Sequence, residues 1–292
     1  MLTKKKFRFS LFDFFLYIFM IIVVLLILLP MIHMLAVSFS SDVYVMQGKV
    51  GLWPKGFTAK TYGYVFEDDR IFRSYGNTIL YTVLGTTISL SITAMGAYAL
   101  SAKRMIGHKF FSMMIVFTMF FQGGLIPLFF VIRDTGLYNT IWVSSIPYAV
   151  SAYNLIIMKS FFESIPEALE EAATLDGAND FTVLMRIILP LSKPVIAVMI
   201  LYYGVSQWNS WYPAAMFTRD RTVYPLQMIL REILIDNKSV AADSGIAEIE
   251  ESLSSELVQY CTILVSTVPI LIIYPFLQKY FEKGVMIGGV KG

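Results

Sequence analysis

The sequence predicts an all-α, polytopic membrane protein with six transmembrane helices. Of its 292 residues 57% are hydrophobic and only 15% are charged, an apolar share above that of soluble domains. The apolar residues gather in long runs separated by polar loops. Runs of that length cross a bilayer as helices, because a helix satisfies its own backbone in lipid. Glycine and proline cluster between the runs, where turns are needed.

The elements follow in order. Residues 1–10 form a basic tail with Lys4, Lys5, Lys6 and Arg8. The run 11–38 is too long for a secretory signal, although Ala36-Val37-Ser38 loosely fits a cleavage site, and Pro30 is expected to break it late. It reads as an uncleaved first span. Residues 39–73 make a polar loop, with Trp53 and Tyr62 or Tyr64 as interfacial anchors. The second span, about Ser74 to Ser101, is rich in Thr82, Gly85, Thr86, Ser89, Thr93 and Gly96. Small residues at such spacing let helices approach closely, so this span faces protein on one side. A basic loop with Lys103, Arg104 and Lys109 follows.

The third span, about Phe110 to Ile132, holds Gln122-Gly-Gly-Leu-Ile-Pro127, which predicts a kink or an unwound turn. The fourth runs from about Ile141 to Phe162, with Pro147 and Asn154. The fifth runs from about Pro194 to Phe217, and the sixth from about Leu257 to Phe281. The last five spans make one body, 74–281, before a tail at 282–292. Six spans put both termini on one side, with the loops 101–109 and 159–193. Lys and Arg are denser there than in the other loops, which makes that side cytoplasmic.

Between the fourth and fifth spans, the loop 163–190 has the composition of well-formed helix. Ser164-x-x-Glu167 reads as a capping box, with Pro166 in the first turn. Ala168 to Ala173 are mostly strong helix formers, and Gly177 supplies a left-handed stop. Asn179 or Asp180 caps a second short helix from about Phe181, expected to stop before Pro190. Glu167, Glu170, Glu171, Asp176 and Asp180 cluster beside a stripe of Ala168, Leu169, Ala172 and Leu175. A preformed acidic knob on the water side of a membrane protein is a docking element for another protein.

Glu171-Ala172-Ala173, three residues, Gly177, nine residues, then Ile187-x-Leu189-Pro190 resembles the EAA loop of ABC importer permeases. The flanks Pro166-Glu-Ala-Leu-Glu and Leu191-Ser-Lys-Pro194, with the tail Gly289-Val-Lys-Gly292, are similar to the carbohydrate-uptake branch that includes maltose importer permeases. The resemblance implies a type I ABC importer permease fold in a bacterial plasma (inner) membrane. It implies that Glu167, Glu170, Glu171, Ala172, Ala173, Asp176, Gly177, Leu189 and Pro190 couple to a cytoplasmic ATPase dimer. It further implies a second permease subunit, an extracytoplasmic solute-binding protein and a carbohydrate substrate.

Exclusion points the same way. Proton-coupled carriers keep ionisable groups at membrane depth, whereas here Asp13, Lys159 and Lys193 all sit at span edges. No Gly-x-x-x-x-Gly-Lys-[Ser/Thr] loop is present, so ATP as cofactor belongs to a partner subunit. Cys261 is the single cysteine, and His33 and His108 lie far apart and read as structural. No metal site, catalytic constellation or nucleic-acid footprint results, and lipid is the expected surroundings. The formal charge of +2 selects no partner. The rival reading, a secondary carrier or channel for a neutral solute acting alone, would need an internal repeat or buried charges, and neither is found.

For the pathway, Tyr203, Gln207 and Trp211 recur at i, i+4 and i+8, one helical face. With Trp208 and Asn209 they suit a sugar, since aromatic rings stack on its C–H faces while amides bond its hydroxyls. A lining without fixed charge suits an uncharged solute. The other reading places Trp208, Trp211 and Tyr212 in an interfacial aromatic belt, which accounts poorly for Gln207 and Asn209. In the loop 218–255, Leu226, Ile229, Leu230 and Ile233 define an amphipathic helix. It either lies in the interface plane or packs on the permease and lifts Ser239–Glu251 towards the binding protein. The small polar segment after it favours packing.

Overall fold

The structure, a computed structural model, describes residues 10–102, 104–240 and 257–275. The basic tail, Lys103, the acids Glu248, Glu250 and Glu251, and the tail 282–292 lie outside the described residues. So does the segment 241–251, most of the stretch expected to meet a binding protein.

In chain order the helices are α1 (Leu11–Ser38), α2 (Asp42–Met46), α3 (Lys60–Glu67), α4 (Asp69–Ser101), α5 (His108–Phe120) and α6 (Leu125–Asp134). After a 3-10 turn at Ile141–Ser144 come α7 (Ala152–Phe162), α8 (Glu167–Leu175) and α9 (Asp180–Val183). A π turn at Leu184–Ile188 leads into α10 (Leu189–Leu191), α11 (Lys193–Trp208), α12 (Tyr212–Phe217) and α13 (Leu226–Val240). The last helix is α14 (Leu257–Pro275). Among the described residues all regular structure is helical, and the chain divides into two compact units.

The first unit is Met1–Asp68 with Ile233–Val265. Ser10 starts α1: its amide donates to the Asp13 carboxylate at 2.9 Å, and its hydroxyl accepts from the Phe12 amide. The helix continues through Pro30 to Ser38, so the late break expected there is absent. Before Ala36 its large apolar side chains are mostly exposed, as on a helix that is hydrophobic all round and sits in lipid. Its last turn packs with Val50 and Leu257. Tyr62 bonds the Ser38 hydroxyl at 2.9 Å and stacks on Phe39. It is a packing residue here rather than a free interfacial anchor, unlike the 81% exposed Trp53. His33 Nδ1 lies 2.8 Å from the Gly51 carbonyl, a structural contact.

The second unit, Asp69–Glu232 with Ser266–Gly292, is built on α4. Its small-residue face meets α11 and α7, as the spacing predicted. At Gly85 the approach is so close that a Cβ would lie 2.6 Å from Gln207 Cδ. Two turns further on, the buried Thr93 and Tyr203 hydroxyls are 2.7 Å apart, joining α4 to α11. Beside them Ala94, Ala97, Met158, Phe162, Ile188 and Met199 form an apolar core.

Among the described residues three helices, α1, α4 and α14, are individually long and apolar enough to cross a membrane, and the other spans are broken. In the third span the Gln122-Gly123-Gly124 break bends α5 against α6 by 116°, with Gly124 at φ +83°. In the fourth, the stretch from Ser145 to Ser151 around Pro147 is not helical, leaving the 11-residue α7. That helix rises only about 16 Å, half a hydrocarbon core. In the fifth, α11 ends at Trp208 and a short break precedes α12, whose first turn holds Pro213.

The segment after α12 is strapped to α4. Asn77 donates to the Thr222 and Tyr224 carbonyls, and Tyr81 to that of Val223. The Leu226 amide then donates to the Thr78 hydroxyl at 2.8 Å. Leu226, Ile229 and Leu230 are buried. The amphipathic helix therefore packs on the protein at its start instead of lying free in an interface.

Tyr203→Phe leaves the Thr93 hydroxyl buried without its partner, and is expected to cost about 1–2 kcal/mol. Adding Thr93→Val should recover part of that loss by removing the orphaned hydroxyl, while the Ser151 amide, which donates to the Tyr203 hydroxyl at 3.4 Å, still loses its acceptor. Denaturation of the purified subunit in detergent, compared across the two single variants and the double variant, measures both steps.

Candidate coupling loop and translocation cavity

The polar loop folds as the two short helices the sequence predicted, with two corrections. Ser164 does not cap: its hydroxyl donates back to the Phe161 carbonyl at 2.6 Å, and α8 starts at Glu167 with Pro166 as its flanking residue. Nor does the second helix stop before Pro190. The π turn at Leu184–Ile188 carries the chain into α10, which contains Pro190. The wider turn accommodates a residue that lacks an amide hydrogen.

The corner between α8 and α9 is fixed by the backbone. Gly177 has φ +86°. Its amide donates to the Thr174 carbonyl at 3.0 Å, and that of Ala178 to Ala173 at 2.9 Å, the paired bonds of a Schellman stop. Of the two cap candidates Asn179 does the work, accepting from the Thr182 amide at 2.8 Å. Asp180 pairs instead with Arg104 from the loop after α4, a contact sequence reasoning missed. The only signal for it was a cation in a short loop on the same predicted side.

The site residues divide by face. Ala173 and Leu189 pack on the core below. Glu167, Glu171, Ala172, Asp176, Gly177 and Pro190 are exposed. So are the apolar Leu169, Leu175 and Phe181, with Leu175 at 89%. Glu170 is half-buried. Burial raises its carboxyl above the ordinary value, Arg104 pulls it down, and Glu167 and Asp180 push it further up. The loop thus presents acids around an apolar tip on a braced corner.

A cleft of about 950 Å³ opens beside α11. Tyr203, Gln207, Asn209 and Trp211 all line it, although the break after Trp208 means that they do not share one helical face. Trp208 is placed differently. Its indole N–H donates to the Ser266 carbonyl at 3.0 Å, and its ring borders a separate crevice of about 380 Å³. Tyr148, Tyr153 and Asn154, from the fourth apolar segment, add to the wall, and among the described residues no charged side chain lines it. Asn154 was visible as an amide in an apolar run, but its partners across the cleft were not. Gln207 is 7% exposed, and its Oε1 has no hydrogen-bond partner among the described residues.

A cleft walled by rings and amides and carried by apolar helices suits a transport permease. Residues 104–242 match the family described as binding-protein-dependent transport system inner membrane component. The chain is 38% identical over 282 residues to the polygalacturonan/rhamnogalacturonan transport system permease protein YtcP of Bacillus subtilis (strain 168), covering 97% of this chain and 99% of that one. It is 39% identical over 265 residues to protein LplC of the same organism, covering 90% and 89%. A crystal structure of a bacterial ABC transporter involved in the import of the acidic polysaccharide alginate matches with a TM-score of 0.86 and 37% identity. That match covers 94% of this chain and 100% of the other. The chain belongs to the binding-protein-dependent inner membrane family, as a permease subunit of an ABC importer.

The space around Gly177 is open, so a side chain there meets only its own backbone. Gly177→Val is expected to cost about 1–2 kcal/mol and to misaim α8 against α9. The protein should insert normally while uptake falls sharply, which a vesicle uptake assay on matched amounts of complex reads directly. Glu170 offers a second check. Its folded state holds the proton more tightly than the unfolded chain, so stability falls as pH climbs from the ordinary carboxylate value through the raised one. Glu170→Gln should flatten that decline in melting curves taken from about pH 4 to 7.

Proposed function

We propose that this chain forms half of an oligosaccharide pathway and takes its drive from a separate ATPase seated on the α8–α9 corner. The observation that carries the reading is the cleft. Rings at Tyr148, Tyr153, Trp211 and Tyr212 suit the C–H faces of sugars, and Asn154, Gln207 and Asn209 suit their hydroxyls. Gln207 keeps an acceptor unspent. A second permease subunit, identical or homologous, supplies the other half. Both termini and the corner are cytoplasmic in this reading, supported by the Lys and Arg distribution. The solute-binding protein docks on the opposite face.

Two relatives narrow the substrate. YtcP is named for polygalacturonan and rhamnogalacturonan, and the solved transporter is described as importing alginate. These polymers carry uronic acids, so the cargo of this chain is an oligosaccharide bearing carboxylates. That replaces the uncharged solute expected from the neutral lining alone. Reconstitution of the complete importer tests the substrate. Oligouronates should be taken up with ATP, and uptake confined to neutral oligosaccharides would refute the uronate reading.

The corner is tested separately. Glu171 is exposed on α8 between exposed Leu169 and Leu175, where a basic partner on the ATPase would meet it. Glu171→Lys is expected to reduce the ATPase recovered with the tagged permease by roughly tenfold. An acidic change on the facing ATPase residue should restore part of it. Wild-type recovery and uptake in the single variant would show that the charge plays no part in docking.

A further inference from the structure

Among the described residues the cleft has no fixed charge, yet a uronate brings a carboxylate at every acidic sugar. An ion entering a neutral cleft loses hydration, and hydroxyl and amide donors replace only part of it. A cation at the rim would supply the remainder. Of the arginines near this end, Arg221 is spent on Glu232 at 3.6 Å. Arg219 lies 6.0 Å over Tyr138, a ring that does not line the cleft.

Arg231 differs from both. Its guanidinium carbon sits 4.5 Å over the ring of Trp211, which lines the cleft. One turn earlier on α13, Gln227 reaches Asn209, a second lining residue, at 3.5 Å. Residues four apart share a helix face, so two contacts hold this face of α13 against the cleft wall. Arg231 is exposed and has no carboxylate partner among the described residues. A guanidinium over an aromatic ring spends its flat face and keeps its in-plane N–H donors. Those donors match the two oxygens of a carboxylate.

We infer that Arg231, set on Trp211 at the rim of the cleft, is a specificity residue that binds the carboxylates of an anionic oligosaccharide during passage. This deepens the uronate reading above and rests on it.

The test uses the complete importer in proteoliposomes, with the binding protein loaded with a defined oligouronate. Arg231→Gln should lower oligouronate uptake about tenfold, as loss of a charged hydrogen-bonding partner does. ATP hydrolysis stimulated by the loaded binding protein should persist, because docking and the cytoplasmic corner are untouched. Arg231→Lys keeps the charge without the planar fork and should fall between; it also serves should the glutamine variant fail to assemble. Unchanged oligouronate uptake in Arg231→Gln overturns the inference and leaves the uronate reading standing. So does a parallel loss of uptake and stimulated hydrolysis, which would make Arg231 a docking residue. Absence of oligouronate uptake in the unsubstituted importer overturns the uronate reading itself, and the inference with it.

Discussion

The close approach of α4 to α11 is the contact on which the second unit depends. It exists because residue 85 has no side chain for Gln207 to strike. The Thr93–Tyr203 bond then sets the register between the two helices. With that seam in place, one side of α11 joins the core of Met158, Phe162 and Ile188, and the other is left to line the cleft. In the apolar interior, where hydrophobicity does not by itself draw helices together, close packing and such bonds must hold the seam. Glycine and threonine in α4 are therefore structural choices as specific as any large core residue.

Local chemistry was legible in the sequence wherever it was decided locally. Gly177 stops α8 at the residue expected, Asn179 starts α9 as one of two candidates, and Gly124 turns the third apolar segment within the expected Gln122–Pro127 stretch. The small-residue face of α4 also declared itself. What failed were inferences that need a neighbour. Ser164 was read as a cap from spacing alone, but the Phe161 carbonyl was the nearer partner. Pro30 and Pro190 were read as breaks. Both sit inside helix, Pro190 with the help of a π turn whose hydrogen bonding no residue pattern announces.

The cleft shows the same division. Tyr203, Gln207, Asn209 and Trp211 were found from one segment, through an assumed continuous helix that in fact breaks after Trp208. They converge on the cleft all the same, because the break re-aims Trp211 and not because of periodicity. Tyr148, Tyr153 and Asn154 come from a stretch whose turns were invisible as hydropathy. Arg104 and Asp180, 76 positions apart, could be paired only in three dimensions.

The bend at Ser192 gives the α8–α9 corner mechanical advantage over the cleft wall. The helical stretch Asp180–Leu191 meets Lys193–Trp208 at 87°, and the 16 residues of α11 make an arm of about 24 Å. A tilt of about 10° imposed at the corner swings the far end of such an arm by about 4 Å. Gln207 and Asn209 ride at that far end, so under the proposed function a small rotation imposed at the corner becomes a displacement of atomic diameter in the cleft wall. The right angle acts as a bell crank: it turns a push on the corner into sideways motion of the cleft wall, without any change in the helices that carry it.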